Sequence, residues 1–177
     1  MSYRSGRHFL QIPGPSNTPE RILRAIDSAV MDHRGPEFGM MACSLLDELR
    51  LIFNTEEDVM IFPSSGTGAW EAALVNTLSP GDRVVMYESG HFASLWKELA
   101  NRLGFKAEFI EGDWRSPINP LTIEDLLSQD KSGEIKALCI VHNETSTGMV
   151  NDIGAVRDAM NSSGHSALLM VDTISGL

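Results

Sequence analysis

From residue 58 onward the chain alternates short apolar runs with helical patterns, and no other feature constrains the fold so tightly. Apolar runs fall at 59–62, 83–87, 105–110, 137–141 and 167–172. Between them, 69–78, 92–103, 119–129 and 153–160 read as helices. A strand followed by a helix and another strand requires a crossover, which makes the strands parallel and puts helices on the faces of the sheet. The predicted fold class is therefore α/β: a three-layer, mainly parallel sheet with helices on both faces. Turn chemistry agrees with the segmentation. Ser79-Pro80-Gly81-Asp82 is a turn, Gly104 suits a helix C-cap, and Asn119-Pro120 suits a helix start.

Residues 1–57 follow another pattern, so the predicted division is an N-terminal arm with helices (1–57) and the first part of a larger α/β domain (58–177). Residues 1–18 are polar and loop-like. Thr18 can N-cap a helix with Pro19 at its first position, and Ile22, Leu23, Ile26 and Val30 give it an apolar face. Asp32-His33-Arg34-Gly35-Pro36 breaks that helix. A second follows over about 37–53 with Leu45, Leu46, Leu49 and Ile52 on one side.

Composition removes several function classes. The formal net charge is −10 and the pI about 4.8, with no basic run, so a nucleic-acid surface is a poor partner. No apolar stretch is long enough for a membrane span, and the first eight residues lack a secretory apolar region. Cys43 and Cys139 are far apart in apolar contexts, which predicts buried free thiols in a reducing compartment and a cytoplasmic protein. No metal site is predicted.

The chemistry is expected at the carboxyl ends of the strands, where open α/β sheets bind ligands. Ser64-Ser65-Gly66-Thr67-Gly68 lies between a strand and a helix, where unpaired N–H groups and the helix dipole favour an anion. The plainer reading is a tight turn with an N-cap. A Walker loop fails for want of Lys, and a dinucleotide fingerprint fails at its third glycine, although Glu88 stands where a ribose acid would. Gly90-His91-Phe92 could lay an aromatic face over a flat ring; otherwise Phe92 is a core residue. His142-Asn143-Glu144-Thr145-Ser146-Thr147-Gly148 offers polar groups on the same edge. Asp172, at the tip of the last apolar run, could pair with a cationic ring nitrogen or simply serve a turn. Together the four loops describe a flat, phosphorylated, pyridine-like cofactor. An apolar strand that delivers an Asp to such a crevice is expected to be followed by more sheet.

In these motifs, and in Ile12-Pro13-Gly14-Pro15-Ser16-Asn17 and Asp32-His33-Arg34-Gly35-Pro36-Glu37-Phe38, the chain resembles class V, fold-type I aminotransferases. The likeness is strongest to the serine–glyoxylate and alanine–glyoxylate group. The resemblance implies pyridoxal 5′-phosphate as cofactor, with Ser65, Gly66 and Thr67 as phosphate cup and Phe92 stacked on the ring. Thr145 falls near the phenolic oxygen, and Asp172 holds the ring nitrogen protonated so that the ring can act as an electron sink. It implies substrate-entrance or dimer-interface positions for Pro13, Gly14 and Arg34. The implied substrates are small amino acids with glyoxylate or other 2-oxo acids, and the implied assembly is a homodimer. The family's Schiff-base lysine lies beyond the position of Asp172, and Lys97, Lys106, Lys131 and Lys136 do not match its motif. No catalytic residue is therefore assigned, and the chain alone is expected to be inactive. In the family topology, residues 59–62 pair with later strands, which leaves 137–141 as an expected apolar edge. Two readings stay open beside this one: another class V enzyme such as a lyase or desulfurase, and a non-catalytic nucleotide-binding module.

Overall fold

Val84 and Met86 pack into one apolar cluster and Val85 and Tyr87 into another, and all four are buried. Alternation of this kind, with both faces covered, is what a strand between two helical layers requires. The computed structural model describes residues 10–177, so the first nine residues of the predicted polar arm lie outside it. The chain divides into two compact units, one up to Met60 and one from Ile61.

The second unit holds helix α3 (Gly66–Thr77), strand β1 (Arg83–Tyr87), α4 (His91–Arg102), β2 (Lys106–Ile110), α5 (Pro120–Gln129) and β3 (Ile135–Val141). A short hairpin follows, β4 (Asn143–Glu144) with β5 (Met149–Val150), then α6 (Ile153–Ser163) and β6 (Leu168–Asp172). The main sheet runs β2-β1-β3-β6, with every pair parallel. On one face Val84, Met86, Ala137 and Cys139 meet Trp70, Leu74 and Trp96 of α3 and α4. On the other, Val85, Leu138 and Ile140 meet Leu127 of α5 and Val156 and Met160 of α6. The three-layer α/β architecture is the one the sequence predicts. From β1 the chain steps outward to β2, then returns past β1 to β3. The direction reverses between β1 and β3, and α4 packs on one face while α5 and α6 pack on the other. A reversal of this kind opens a crevice at the carboxyl ends of the two strands.

Local chemistry sets the helix ends. The Asn119 side chain accepts from Leu121 N–H with Pro120 in the first turn, and Asp152 accepts from Ala155 N–H. Gly164 closes α6 at φ +65°, in the left-handed region that costs glycine little.

Four expectations need correction. Residues 59–62 form no strand: they have no ladder partner among the described residues, and Ile61 is 66% exposed. An apolar run becomes a strand only where a ladder partner takes its backbone groups. Residues 137–141 are not an edge, because β3 is paired on one side by β1 and on the other by β6. The edges among the described residues are β2 and β6, and Leu168 of β6 is exposed. Thr18 caps nothing: the first helix, α1, spans Glu20–Ile26 with Pro19 at the N-cap position and no side-chain cap. It also stops short of Val30. Finally, Cys43 is exposed, on α2 (Pro36–Phe53) of the first unit, whereas Cys139 is buried in β3, where burial pushes its thiol pKa up.

At the amino-terminal rim of the sheet a buried pair joins three segments. Asp130, at the C-cap of α5, accepts from Ile135 N–H at 2.7 Å and Glu134 N–H at 3.1 Å. His165 takes the N–H of Ala167 on Nδ1, which leaves Nε2 to donate to Asp130 at 3.1 Å. The bond from Ile135 is the largest influence on the Asp130 carboxyl. Desolvation opposes it, Glu134, His165 and Ser132 reinforce it, and the pKa falls from 3.8 to about 2. A depressed carboxyl stabilises the fold above its ordinary pKa, and the contribution fades as pH falls toward the folded value. Asp130→Asn should therefore lower the thermal midpoint at neutral pH by the equivalent of about 1–3 kcal/mol. It should also flatten the loss of stability between pH 4 and 2, and acid titration by circular dichroism checks both.

Candidate cofactor site

The first turn of α3 follows the loop at Ser64 and Ser65. Ser65 is its N-cap residue and makes no side-chain cap. Gly68 and Ala69 turn their N–H groups back to Ser65 O at 3.0 and 3.4 Å. The N–H groups of Gly66 and Thr67 have no partner among the described residues, so the helix start offers two open donors and its positive dipole end. A Cβ on Gly68 would come within 2.1 Å of Ser64 Oγ, so only glycine lets the loop fold this tightly over the helix.

One turn further, Trp70 reaches the tip of β6. Its indole Nε1–H donates to Asp172 Oδ2 at 3.0 Å, and Ile174 N–H donates to Asp172 Oδ1 at 2.9 Å. Asp172 is buried, and His142 N–H donates to its main-chain oxygen at 2.9 Å, which continues the β3–β6 ladder. Beyond the tip, Thr145 Oγ1 lies 2.6 Å from Ser175 Oγ, and Asn143 Nδ2 donates to Ser175 O at 3.0 Å.

Glu144 organises the loops that flank the β1/β3 crevice. It is fully buried and ends β4, just before the turn of the hairpin. Its carboxylate accepts from Phe92 N–H (3.3 Å), Ala93 N–H (3.2 Å), Ser146 N–H (3.1 Å) and Ser146 Oγ (2.7 Å). Ser89 Oγ lies at 3.5 Å. A carboxylate at a helix start is favourable by charge and satisfies donors that would otherwise be orphaned. Gly90 makes the approach possible: a Cβ there would lie 2.6 Å from both Glu144 Cγ and Ser146 Oγ. Phe92 is half-buried against the cluster of Trp70 and Met86, with the His91 ring edge-on to it.

The structure thus joins Gly66, Thr67, Phe92, Thr145 and Asp172 through a continuous chain of contacts. Trp70 links α3 to Asp172, Glu144 links Phe92 to the loop of Thr145, and Ser175 links that loop back to the segment after Asp172. Ser65 is exposed at the start of α3. Pro13, Gly14 and Arg34 belong to the first unit, where they are exposed; Arg34 N–H donates to Asp32 Oδ1 at 3.0 Å. Sequence reasoning assigned no role to Glu144 or Trp70. Glu144 lay in a polar loop that gave no sign of burial. The signal for Trp70 was its spacing, four residues after Gly66 and so one helical turn along.

Open N–H donors at a helix start, an aromatic at the crevice and a buried carboxylate with lone pairs to spare fit a phosphorylated pyridine. The residue expected of a ribose site, Glu88, instead accepts from Trp114 Nε1 at 3.2 Å. The four lysines lie elsewhere. Lys106 opens β2 at its amino end, Lys131 follows α5, and Lys136 donates to Gly133 O at the start of β3. Lys97 sits 4.2 Å over the Phe109 ring.

Comparison with known proteins agrees with this geometry. The chain is 46% identical over 176 residues to a serine–glyoxylate aminotransferase of Arabidopsis thaliana, covering 99% of this chain and 44% of that protein. It is 41% identical over 167 residues to an L-aspartate–glyoxylate aminotransferase of Paracoccus denitrificans, covering 94% of this chain and 42% of the relative. The crystal structure of an alanine–glyoxylate aminotransferase from Nostoc sp. superposes with a TM-score of 0.85 at 28% identity, over 99% of this chain and 45% of that one. The chain thus spans less than half the length of these relatives. The family model described as aminotransferase class-V matches residues 8–177. With a match of that extent, the chain belongs to the class-V aminotransferase family, whose members work with pyridoxal phosphate.

Proposed function

We propose that the whole protein is a pyridoxal-phosphate-dependent transaminase that moves an amino group from serine or alanine to glyoxylate. The observation that carries this reading is the joining of an open helix start, Phe92 and a buried Asp172 at one strand rim. The three relatives differ in amino donor, and all three names give glyoxylate as acceptor. When bound, the cofactor supplies an electron sink for chemistry at the amino acid's α-carbon.

The chain's own residues then divide the work. Gly66 and Thr67 N–H, with the Ser65 and Thr67 hydroxyls, hold the phosphate. Phe92 covers the ring, Thr145 stands near its phenolic oxygen, and Asp172 keeps a proton on the ring nitrogen. Pro13, Gly14 and Arg34 serve the substrate entrance, in a homodimer located in the cytoplasm. Lys106, Lys131 and Lys136 lie toward the far rim and Lys97 on α4, so no lysine among the described residues stands at the site, and in this reading the chain is inactive by itself.

The test is glycine formation from glyoxylate in the intact, pyridoxal-phosphate-loaded protein. Serine or alanine should support turnover, and Asp172→Asn should cut kcat/KM by about 100-fold or more, roughly 3 kcal/mol of transition-state stabilisation. The 177-residue chain alone should give no glycine. Glycine absent with either donor, or unchanged in Asp172→Asn, would contradict the proposal.

Glu144 should matter through the helix that carries Phe92. Glu144→Ala strips the acceptor from Phe92 and Ala93 N–H and should cost about 1–3 kcal/mol in stability. Hydrogen exchange at those two amides should quicken while amides in α6 stay protected. Uniform loss of protection across the second unit would point to general unfolding instead.

A further inference from the structure

The interaction that the family assignment does not account for is the buried hydrogen bond between Trp70 and Asp172. These residues are 102 positions apart and lie on different elements. A carboxylate has about four lone-pair sites, and its terminal torsion is soft. The bond from Ile174 N–H is local, two residues on along the chain, and holds only Oδ1. Trp70 is the donor on Oδ2, and it comes from the helix whose first turn presents the open N–H groups of Gly66 and Thr67. Two donors from different directions fix the plane of the carboxylate and leave a lone pair on each oxygen.

The indole itself is held. Its ring stacks on that of Trp96 with centroids 5.5 Å apart and planes 10° from parallel, and both residues are buried. Trp96 belongs to α4, the helix that begins with His91 and Phe92. Stacking therefore sets the direction of the Trp70 N–H, and the N–H sets the carboxylate. From Gly66 to Trp70 is four residues, about 6 Å along the helix axis.

We propose that Trp70 is a positioning residue that aims the Asp172 carboxylate at the cofactor's ring nitrogen and ties it to the phosphate-binding end of α3. The proposal rests on the cofactor reading given above. Trp70 touches neither substrate nor cofactor in this role; it acts through Asp172. One helix thus holds the two ends of the ligand in fixed relation, the phosphate directly and the ring nitrogen through an indole.

The test uses pyridoxamine 5′-phosphate, which binds reversibly and needs no lysine, with the intact protein. Its dissociation constant is measured by equilibrium dialysis for wild type, Trp70→Phe, Asp172→Asn and the double variant. Trp70→Phe keeps an aromatic face toward Trp96 and removes the donor together with part of the ring's volume, and the inorganic-phosphate arm below controls for the lost packing. It should weaken binding about tenfold, the factor for one hydrogen bond to a charged group. In the Asp172→Asn background the same change should add little, because the effect passes through the carboxylate. Inorganic phosphate, which needs only the helix start, should bind Trp70→Phe as it binds wild type. Trp70→His, which restores a ring N–H, should recover part of the lost affinity.

Wild-type affinity in Trp70→Phe, or a full tenfold loss added on top of Asp172→Asn, would overturn the proposal. Loss of inorganic phosphate binding in Trp70→Phe would also overturn it, since the role would then be general support of α3. If Asp172→Asn binds pyridoxamine 5′-phosphate as wild type does, the cofactor reading itself fails. A loss in Asp172→Asn without one in Trp70→Phe removes only the role of Trp70.

Discussion

The two-sided pairing of β3 is the constraint on which the rest of the second unit depends. Cys139 pairs with Met86 of β1 on one side and with Met170 of β6 on the other. That register brings the ends of three strands to one rim: Tyr87, Val141 and Asp172. Because side chains alternate with period two, a slip of one residue in β6 would turn Asp172 to the opposite face. Leu169, packed against the cluster on one face, and Met170, packed against the cluster on the other, resist such a slip because it would exchange their faces.

A rigid rim still leaves loops to be ordered, and here the polar groups decide. Glu144 gathers donors from the β1–α4 loop and from its own hairpin, so the two loops that border the crevice behave as one piece. A buried carboxylate is tolerable only when it is this fully hydrogen-bonded. Asp172 is different. It is buried with one donor on each oxygen and keeps lone pairs free. The saturated carboxylate is structural, and the unsaturated one is available to a ligand. At the opposite rim Asp130 resembles Glu144, taken up by main-chain donors and His165.

Much of this was legible in the sequence, and the limits have physical causes. Strand and helix existence followed from periodicity, and β1 was placed at its observed bounds because Ser79-Pro80-Gly81-Asp82 and Gly90 punctuate both sides. The short β4–β5 hairpin was missed because two-residue strands carry no periodic signal. Residues 59–62 read as a strand because apolar runs report burial potential, while a strand also needs a partner that local sequence cannot supply. The placement of 137–141 at an edge failed for a related reason. Strand order is a non-local property, and it was inferred from the family's topology rather than from the chain. Asp172, Phe92 and the glycine loop could be singled out as candidates because strand tips and helix starts have sequence signatures. Trp70 and Glu144 could not be, since their hydrogen bonds join distant segments.

The central claim is that one strand rim of this chain holds pyridoxal phosphate between the start of α3 and Asp172. The most direct measurement is a crystal structure of the intact protein with the cofactor bound. The account predicts phosphate oxygens at about 2.9 Å from the N–H groups of Gly66 and Thr67, and the ring nitrogen at a similar distance from Asp172. A phosphate bound at another helix start, or a ring nitrogen facing away from Asp172, would contradict it.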